Sequence, residues 1–501
     1  MEKILGVLGA VPQLQKHKDD SLTDRISHDF TVGLLILFSV IVSAKQYVGE
    51  PINCWVPAHF SDNWEEYANS YCWIKNTYYL PFQSYIPFEH EEGQRDMITY
   101  YQWVPLILLV QALVFYIPCM VWRTFNARSG VDINNFVDTC KTFQLLEKAE
   151  NKNKALDHMT KQMYRYVDSQ RDYKTSMTIS IKNILSRVCC AVCGRKKGNY
   201  LVTLYLFVKL LYIGNLFGQF FLMNVFLGIS YHEYGIQFFK MLYNQDSDSE
   251  INTPAFPRVT MCDFKVRVLG NVQRYSVQCV LPINLFNEII YLFLWWWMVA
   301  LGIASIFSFI AWFWRIVSPT DRRRFVKKHL MLLERITPRE DEQNKTSQDD
   351  YLTVEFNECS ELLLKPLVQQ EFEPEAKPNA TQASEPSQDK YHDLKKLIND
   401  MFEKWQNEVT LNLTNPTAQE KELLKLILQI DPKDCHKVFK ITGEKGHQVG
   451  DKFMAKLHQD GIFVLRIVGN NTNSITITEV ICALWDRYCE LYLEKHIDTF
   501  V

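Results

Sequence analysis

The chain lacks the short signatures of catalysis. No phosphate-binding loop, dinucleotide-binding turn or Gly-x-Ser-x-Gly elbow occurs in its 501 residues. Cys189, Cys190 and Cys193 cluster, but no second Cys or His pair stands at zinc-ligand spacing. They read as reduced cysteines beside a membrane, or as acylation sites. His392, His436, His447 and His458 are scattered, as surface or core histidines are. The expectation is therefore a non-enzyme without catalytic residues, metal or cofactor, and with no nucleic-acid partner.

An obvious excess of apolar residues is also missing. A hydrophobic content of 47% and a mean hydropathy of -0.14 look nearly soluble, because a long polar tail dilutes the apolar part. Windows of about 19 residues separate the two. Four apolar runs then stand out, at 30–45, 103–122, 200–229 and 288–314. About 20 apolar residues cross a bilayer core as a helix, so the chain is expected to be a four-span membrane protein. Lys209 lies deep in the third run, where a lysine costs about 2.5–3.5 kcal/mol against about 0.3–0.6 gained per Leu, Ile, Val or Phe. The neighbours from Leu201 to Ile213 offset it. Lys209 then packs against another helix, faces an aqueous lumen or snorkels; interior packing is the favoured reading.

Basic residues orient the spans. The loop from Gln46 to Tyr101 holds only Lys75 and Arg95, whereas that from Arg123 to Asn199 holds fifteen Lys and Arg. Arg315, Arg322, Arg323, Arg324, Lys327 and Lys328 follow the fourth run. Both termini are thus expected in the cytosol. The chain divides into a lead-in (1–29), a first span (30–45), an outer loop (46–102), a second span (103–122), a cytosolic loop (123–199), a third span (200–229), a second outer loop (230–287), a fourth span (288–314) and a cytosolic C-terminal region (315–501). A signal peptide is not expected, since the first span starts late and no small-residue cleavage site follows it.

Each outer loop carries two cysteines, Cys54 and Cys72 in the first and Cys262 and Cys279 in the second. Disulfides persist outside cells and are rare in the cytosol. Four cysteines allow three connectivities, and sequence alone does not choose among them. The cross-loop pairs Cys54–Cys279 and Cys72–Cys262 are favoured, because Cys54 and Cys279 both lie near span ends. The first loop is dense in aromatics, Trp55, Phe60, Trp64, Tyr67, Tyr71, Trp73 and Tyr78 among them, which predicts a folded cap rather than a disordered loop. Neither outer loop has an Asn-x-Ser/Thr sequon; those at Asn344, Asn379, Asn412 and Asn470 fall on the cytosolic side. A bare outer surface suits contact with another protein.

On the cytosolic side, 123–199 reads as helical, and 341–390 as a polar linker. Beyond it, 391–405 and 420–430 read as amphipathic helices, 463–468 as a short strand and 478–493 as a last helix. At the N-terminus, Gly6 and Gly9 punctuate an apolar stretch from Met1 to Val11. It fits a helix on the membrane surface or one turned into a pore mouth. Pro105 and Pro118 are expected to bend the second span.

Tyr100-Tyr101-Gln102-Trp103-Val104 resembles the family mark of the innexins, the gap-junction proteins of invertebrates. Pro51-Ile52-Asn53-Cys54-Trp55-Val56-Pro57, Phe256-Pro257-Arg258-Val259-Thr260-Met261-Cys262-Asp263-Phe264 and Asp460-Gly461-Ile462-Phe463-Val464-Leu465-Arg466 are similar to the family as well. Two cysteines per outer loop separate it from connexins, which have three. The resemblance implies a mainly α, four-helix transmembrane subunit with a disulfide-stapled extracellular cap and a helical cytosolic domain. It further implies a ring of eight identical or sister subunits at the plasma membrane, docked through its outer loops to a ring on the neighbouring cell. The N-terminal helix would then fold into the pore mouth, with Met1, Glu2, Lys3 and Leu5 lining it among membrane lipids and sister subunits. Glu50, just past the first span, is placed nearest the permeation path. Three functions fit: an intercellular channel for ions and small metabolites, an unpaired hemichannel releasing small molecules, and a non-conducting four-span adhesion or scaffold protein.

Overall fold

A computed structural model describes residues 20–58, 60–81, 86, 96–146, 148–169, 198–244, 255–336, 350–357, 408–412, 418–429 and 436–496. In chain order these form helix α1 (Leu22–Val48), strand β1 (Asn53–Trp55), helix α2 (Asp62–Lys75), strands β2 (Thr77–Tyr79) and β3 (Asp96–Ile98), and helices α3 (Val104–Asn126), α4 (Ile133–Leu145) and α5 (Ala149–Ser169). Helices α6 (Tyr200–Leu227) and α7 (Tyr231–Asn244) follow, then strands β4 (Val259–Val268) and β5 (Asn271–Val280). Helices α8 (Pro282–Val317) and α9 (Pro319–Leu332) lead to strands β6 (Tyr351–Asn357) and β7 (Glu408–Asn412). The chain ends with α10 (Ala418–Gln429), β8 (His436–Ile441), α11 (Glu444–Asn471) and α12 (Ser474–His496). Two compact units result, one from Asp20–Phe125 and Tyr205–Phe313, the other holding Asn126–Leu204 and Trp314–Val501.

The first unit contains helices long and apolar enough to cross a bilayer, namely α1, α3, α6 and α8. They extend beyond the apolar windows at several ends, because helix geometry continues through polar flanks. α8 begins with Pro282, whose missing N–H is one of those a helix start leaves unbonded in any case. Pro105 sits in the first turn of α3 for the same reason, and α3 continues through Pro118. Interhelical hydrogen bonds fix the bundle: Ser39 Oγ donates to the Pro105 carbonyl at 2.9 Å, and Trp297 Nε1 to Thr31 Oγ1 at 3.0 Å. Phe207, Phe217, Phe221 and Val225 on α6 and Ile303, Phe307 and Ile310 on α8 stay exposed. Such faces suit lipid or a neighbouring copy.

Lys209 is buried. Its ammonium donates to Asp24 Oδ1 at 2.8 Å, Ser21 Oγ at 2.7 Å and Ser308 Oγ at 2.7 Å. Interior packing, not snorkelling, accounts for its position.

A five-stranded antiparallel sheet, ordered β1-β5-β4-β2-β3, caps this unit. Its long hairpin β4–β5 turns at Leu269 and Gly270, both at positive φ, the backbone that matches the twist of two antiparallel strands. Aromatic residues of 60–73 pack on the hairpin. Phe60 and Trp64 meet Tyr275, and Tyr67 and Tyr71 meet Phe264, all with ring centroids 5.2–6.3 Å apart.

The second unit packs α4, α5, α9, α11 and α12 with a three-stranded sheet ordered β7-β6-β8. Trp485 is fully buried against Phe453 and donates from Nε1 to the Phe439 carbonyl at 3.1 Å. Arg335 binds Asp486 through both carboxylate oxygens, at 3.1 and 2.9 Å. Two expectations are corrected here. Residues 463–468 are helical, within α11, because a short apolar run buried on every side has no periodicity to tell strand from helix. The expected linker 341–390 contains β6, whose Leu352 and Val354 are buried in the sheet. The helix expected over 391–405 lies outside the described residues.

Candidate docking cap and channel unit

Two disulfides join the cap. Cys54 lies directly opposite Cys279 where β1 pairs with β5, and the two are bonded. Cys72, near the end of α2, is bonded to Cys262 on β4. The sheet is thus closed twice across 225 and 190 residues of chain, and both links join the first outer segment to the second. Cys54, Cys72 and Cys279 lie close enough to resemble a metal-ligand set, but each sulfur is held in a disulfide.

Hydrogen bonds explain why the Tyr100-Tyr101-Gln102 segment sits where it does. Tyr101 Oη donates toward the carbonyls of Cys72 and Trp73, at 3.4 and 3.3 Å, and Gln102 Nε2 also donates to the Trp73 carbonyl. Tyr100 Oη donates to the Ala255 carbonyl at 2.9 Å. The start of α3 is thereby tied to the end of α2 and to the strand lead-in at Ala255. Burial pushes both phenols well above their ordinary range, so they remain protonated donors.

Asp263 organises the hairpin's inner end. It accepts from Arg274 at 2.6 Å and from Tyr78 Oη at 3.2 Å, while Lys75 donates to its carbonyl at 3.5 Å. At the base, Arg258 pairs with Glu288 at 2.9 Å, and Asn284 Nδ2 donates to the Pro257 carbonyl at 2.8 Å. The far end differs. Leu269 is fully exposed and Val272 more than half exposed. Among the described residues, β4 and β5 pair with one another alone beyond the short partners β1 and β2.

The four cysteines are brought together as two bonded pairs. Glu50 is exposed, two residues past the last residue of α1. Met1, Glu2, Lys3 and Leu5 lie outside the described residues. Sequence reasoning flagged Lys209 but not its partner Asp24, which also accepts from Tyr205 Oη at 3.0 Å. Asp24 stands ahead of the apolar run, where an acidic residue attracts no notice.

The family model for Innexin matches residues 20–488. Innexin unc-9 of Caenorhabditis elegans is 40% identical over 325 residues, covering 65% of this chain and 82% of that protein. Innexin-3 of the same nematode is 36% identical over 313 residues, 62% of this chain and 71% of its own length. Innexin eat-5 is 34% identical over 329 residues, 65% and 75% respectively. Four membrane-length helices, a doubly stapled cap and a match over most of the sequence converge: this chain belongs to the innexin family of gap-junction channel proteins.

Proposed function

We propose that the chain is one subunit of an eight-membered ring that forms a large-pore intercellular channel for ions and small metabolites. Both termini lie in the cytosol and the stapled cap lies outside the cell, as the basic loops imply. The observation that carries this reading is the cap. Its two disulfides and shared sheet make one body from segments that continue into the four spans. A rigid surface meets a partner without first losing conformational freedom. The hairpin end, with Leu269 and Val272 exposed, offers apolar contact to an opposed ring.

Below the cap, α1, α3, α6 and α8 supply the wall. The N-terminal helix, Met1 to Val11, turns into the pore mouth, so that Met1, Glu2, Lys3 and Leu5 line its narrowest part and Glu50 lies near the outer path. The hydrogen bonds from Lys209 to buried Asp24 and to Ser21 support this placement by fixing the chain just ahead of the apolar run of the first span.

Recording from paired cells tests the function. Junctional current is expected between two cells that both express the chain. Dye uptake by single cells without junctional current would establish the unpaired hemichannel instead. Silence in both would leave a non-conducting adhesion protein. Imaging the purified oligomer counts the subunits.

A further inference from the structure

A helix start leaves its first N–H groups without partners in the helix. At the start of α6 these groups are satisfied from far along the chain. Asp460 is fully buried. Its Oδ1 accepts from the backbone N–H of Val202 at 3.1 Å, and the amides of Tyr200 and Leu201 also face the carboxylate. Asp460 N–H in turn donates to the Gly198 carbonyl at 2.9 Å, and Tyr166 Oη approaches Oδ2 at 3.5 Å. A carboxylate is the favoured partner here, since the helix start carries partial positive charge. Burial still raises the Asp460 carboxyl above its ordinary range, against these hydrogen bonds. The contact has a stabilising side and a costly one, as befits a site held by its surroundings rather than by solvent.

The same stretch also grips α9, the helix that follows α8. α11 consists of two helical pieces joined at His458, whose φ of 55° lies in the left-handed region. The second piece, 459–471, buries Asp460, Ile462, Phe463, Val464, Leu465, Ile467 and Val468. Arg466, six residues beyond Asp460, donates to Asp321 Oδ2 at 2.7 Å and to the Asp321 carbonyl at 3.0 Å. Asp321 belongs to the first turn of α9, where its N–H donates to the capping Ser318 Oγ at 3.3 Å. Only Ser318 separates α8 from α9. One buried helical piece therefore holds the beginning of α6 at one end and the continuation of α8 at the other.

We propose that residues 459–471 form a strut coupling the C-terminal region to the third and fourth spans, with Asp460 and Arg466 as positioning residues, so that shifting this region changes conduction. The proposal rests on the channel reading above. The strut can act because α6 is one continuous helix and α9 is joined to α8 through Ser318 alone, and a packed helix start moves as a unit rather than bending residue by residue. Neither positioning residue is exposed to solvent enough to serve as a solubilising surface charge, since Asp460 is buried and the Arg466 side chain is only 10% exposed.

The test uses the full-length protein. Hydrogen exchange is read on the amides of 200–202, and junctional conductance is read in paired cells at matched surface expression. Asp460→Ala should speed exchange at these amides by roughly fivefold, the typical effect of removing a cap. Asp460→Asn, which keeps an acceptor oxygen, should stay near wild type in both readouts. Asp460→Ala and Arg466→Ala should each alter conductance, and the double variant should change it no more than the larger single effect, because both disable one strut. Unchanged exchange in Asp460→Ala, or Asn behaving like Ala, overturns the capping role. Faster exchange with unchanged conductance in a conducting background overturns the coupling alone. Silence from the wild type overturns the coupling together with the channel reading.

Discussion

Removing one member of the Lys209–Asp24 pair should damage the protein more than removing both. The two side chains are 2% and 5% exposed. All three ammonium protons have acceptors, in Asp24, Ser21 and Ser308. Asp24 accepts from Lys209, from Ser21 at 2.9 Å and from Tyr205 at 3.0 Å. Lys209→Met leaves this carboxylate buried without its cation, a loss of about 3–5 kcal/mol. At about 2–4 °C per kcal/mol for a domain of this size, the midpoint should fall by about 6–20 °C. Asp24→Leu alone should be comparably harmful, because it strands the ammonium in an apolar bundle. The double variant Asp24→Leu/Lys209→Met removes both desolvated charges and should return to within about 1–2 kcal/mol of wild type, as buried ion pairs replaced by apolar residues do. Tryptophan fluorescence during heating of the purified oligomer gives the four midpoints, and the cycle gives the interaction energy. Additive losses would refute the argument, for they would mean that water solvates Lys209. A Lys209→Met midpoint equal to wild type would refute it as well.

Three further outcomes are expected. Replacing Cys54, Cys72, Cys262 or Cys279 by Ser should abolish junctional current even where surface labelling is normal, since losing such a bridge costs about 2–5 kcal/mol; Cys189→Ser and Cys359→Ser should leave docking intact. Deleting residues 2–11 should change gating or selectivity while assembly survives on size exclusion, and a cysteine substituted for Leu5 should react with thiol reagents only in open channels; unchanged conductance would place this segment on the membrane surface. Glu50→Gln should move the reversal potential in a salt gradient toward weaker cation preference, more so at low ionic strength, because a charge is screened over about 8 Å at physiological salt; no change would put the permeation path elsewhere.

The spans were legible because a bilayer demands about 20 apolar residues in one run, and that demand is local. The ends were less so. α8 covers 36 residues, about 54 Å of helix, and the apolar window marks only its middle. The outer hairpin had a readable signal, alternation from Lys265 to Val268 and from Tyr275 to Cys279 on either side of Leu269-Gly270-Asn271, yet aromatics and cysteines in the same loops drew attention to a cap without naming its strands. Cysteine chemistry limited the connectivity to three choices, and strand register brings Cys54 opposite Cys279. The strand expected at 463–468 failed for a different reason. Val464, Leu465, Ile467 and Val468 are β-branched or apolar and look like a strand in isolation. Burial from several neighbours lets them remain helical.

What stayed hidden are charges whose meaning comes from distant partners. Asp24 and Lys209 are separated by 185 residues, and Asp460 and Val202 by 258. No periodicity or spacing rule reaches that far. A lysine inside an apolar run still announces a missing anion, because its burial is too costly to leave unpaired, so Lys209 could have prompted a search for an acidic residue near a span end. Asp19, Asp20, Asp24 and Asp29 form such a group before the first span, which gives four candidates there. Asp460 opens a block similar to the family, yet an aspartate in a polar tail gives no hint of its partner. The helix it caps does offer a clue: Gly198-Asn199 precedes Tyr200, and neither Asn199 nor any acidic residue in the first turn of α6 supplies the usual carboxylate. A helix start beside a membrane that has no acidic residue of its own is a reason to look for one from elsewhere in the fold.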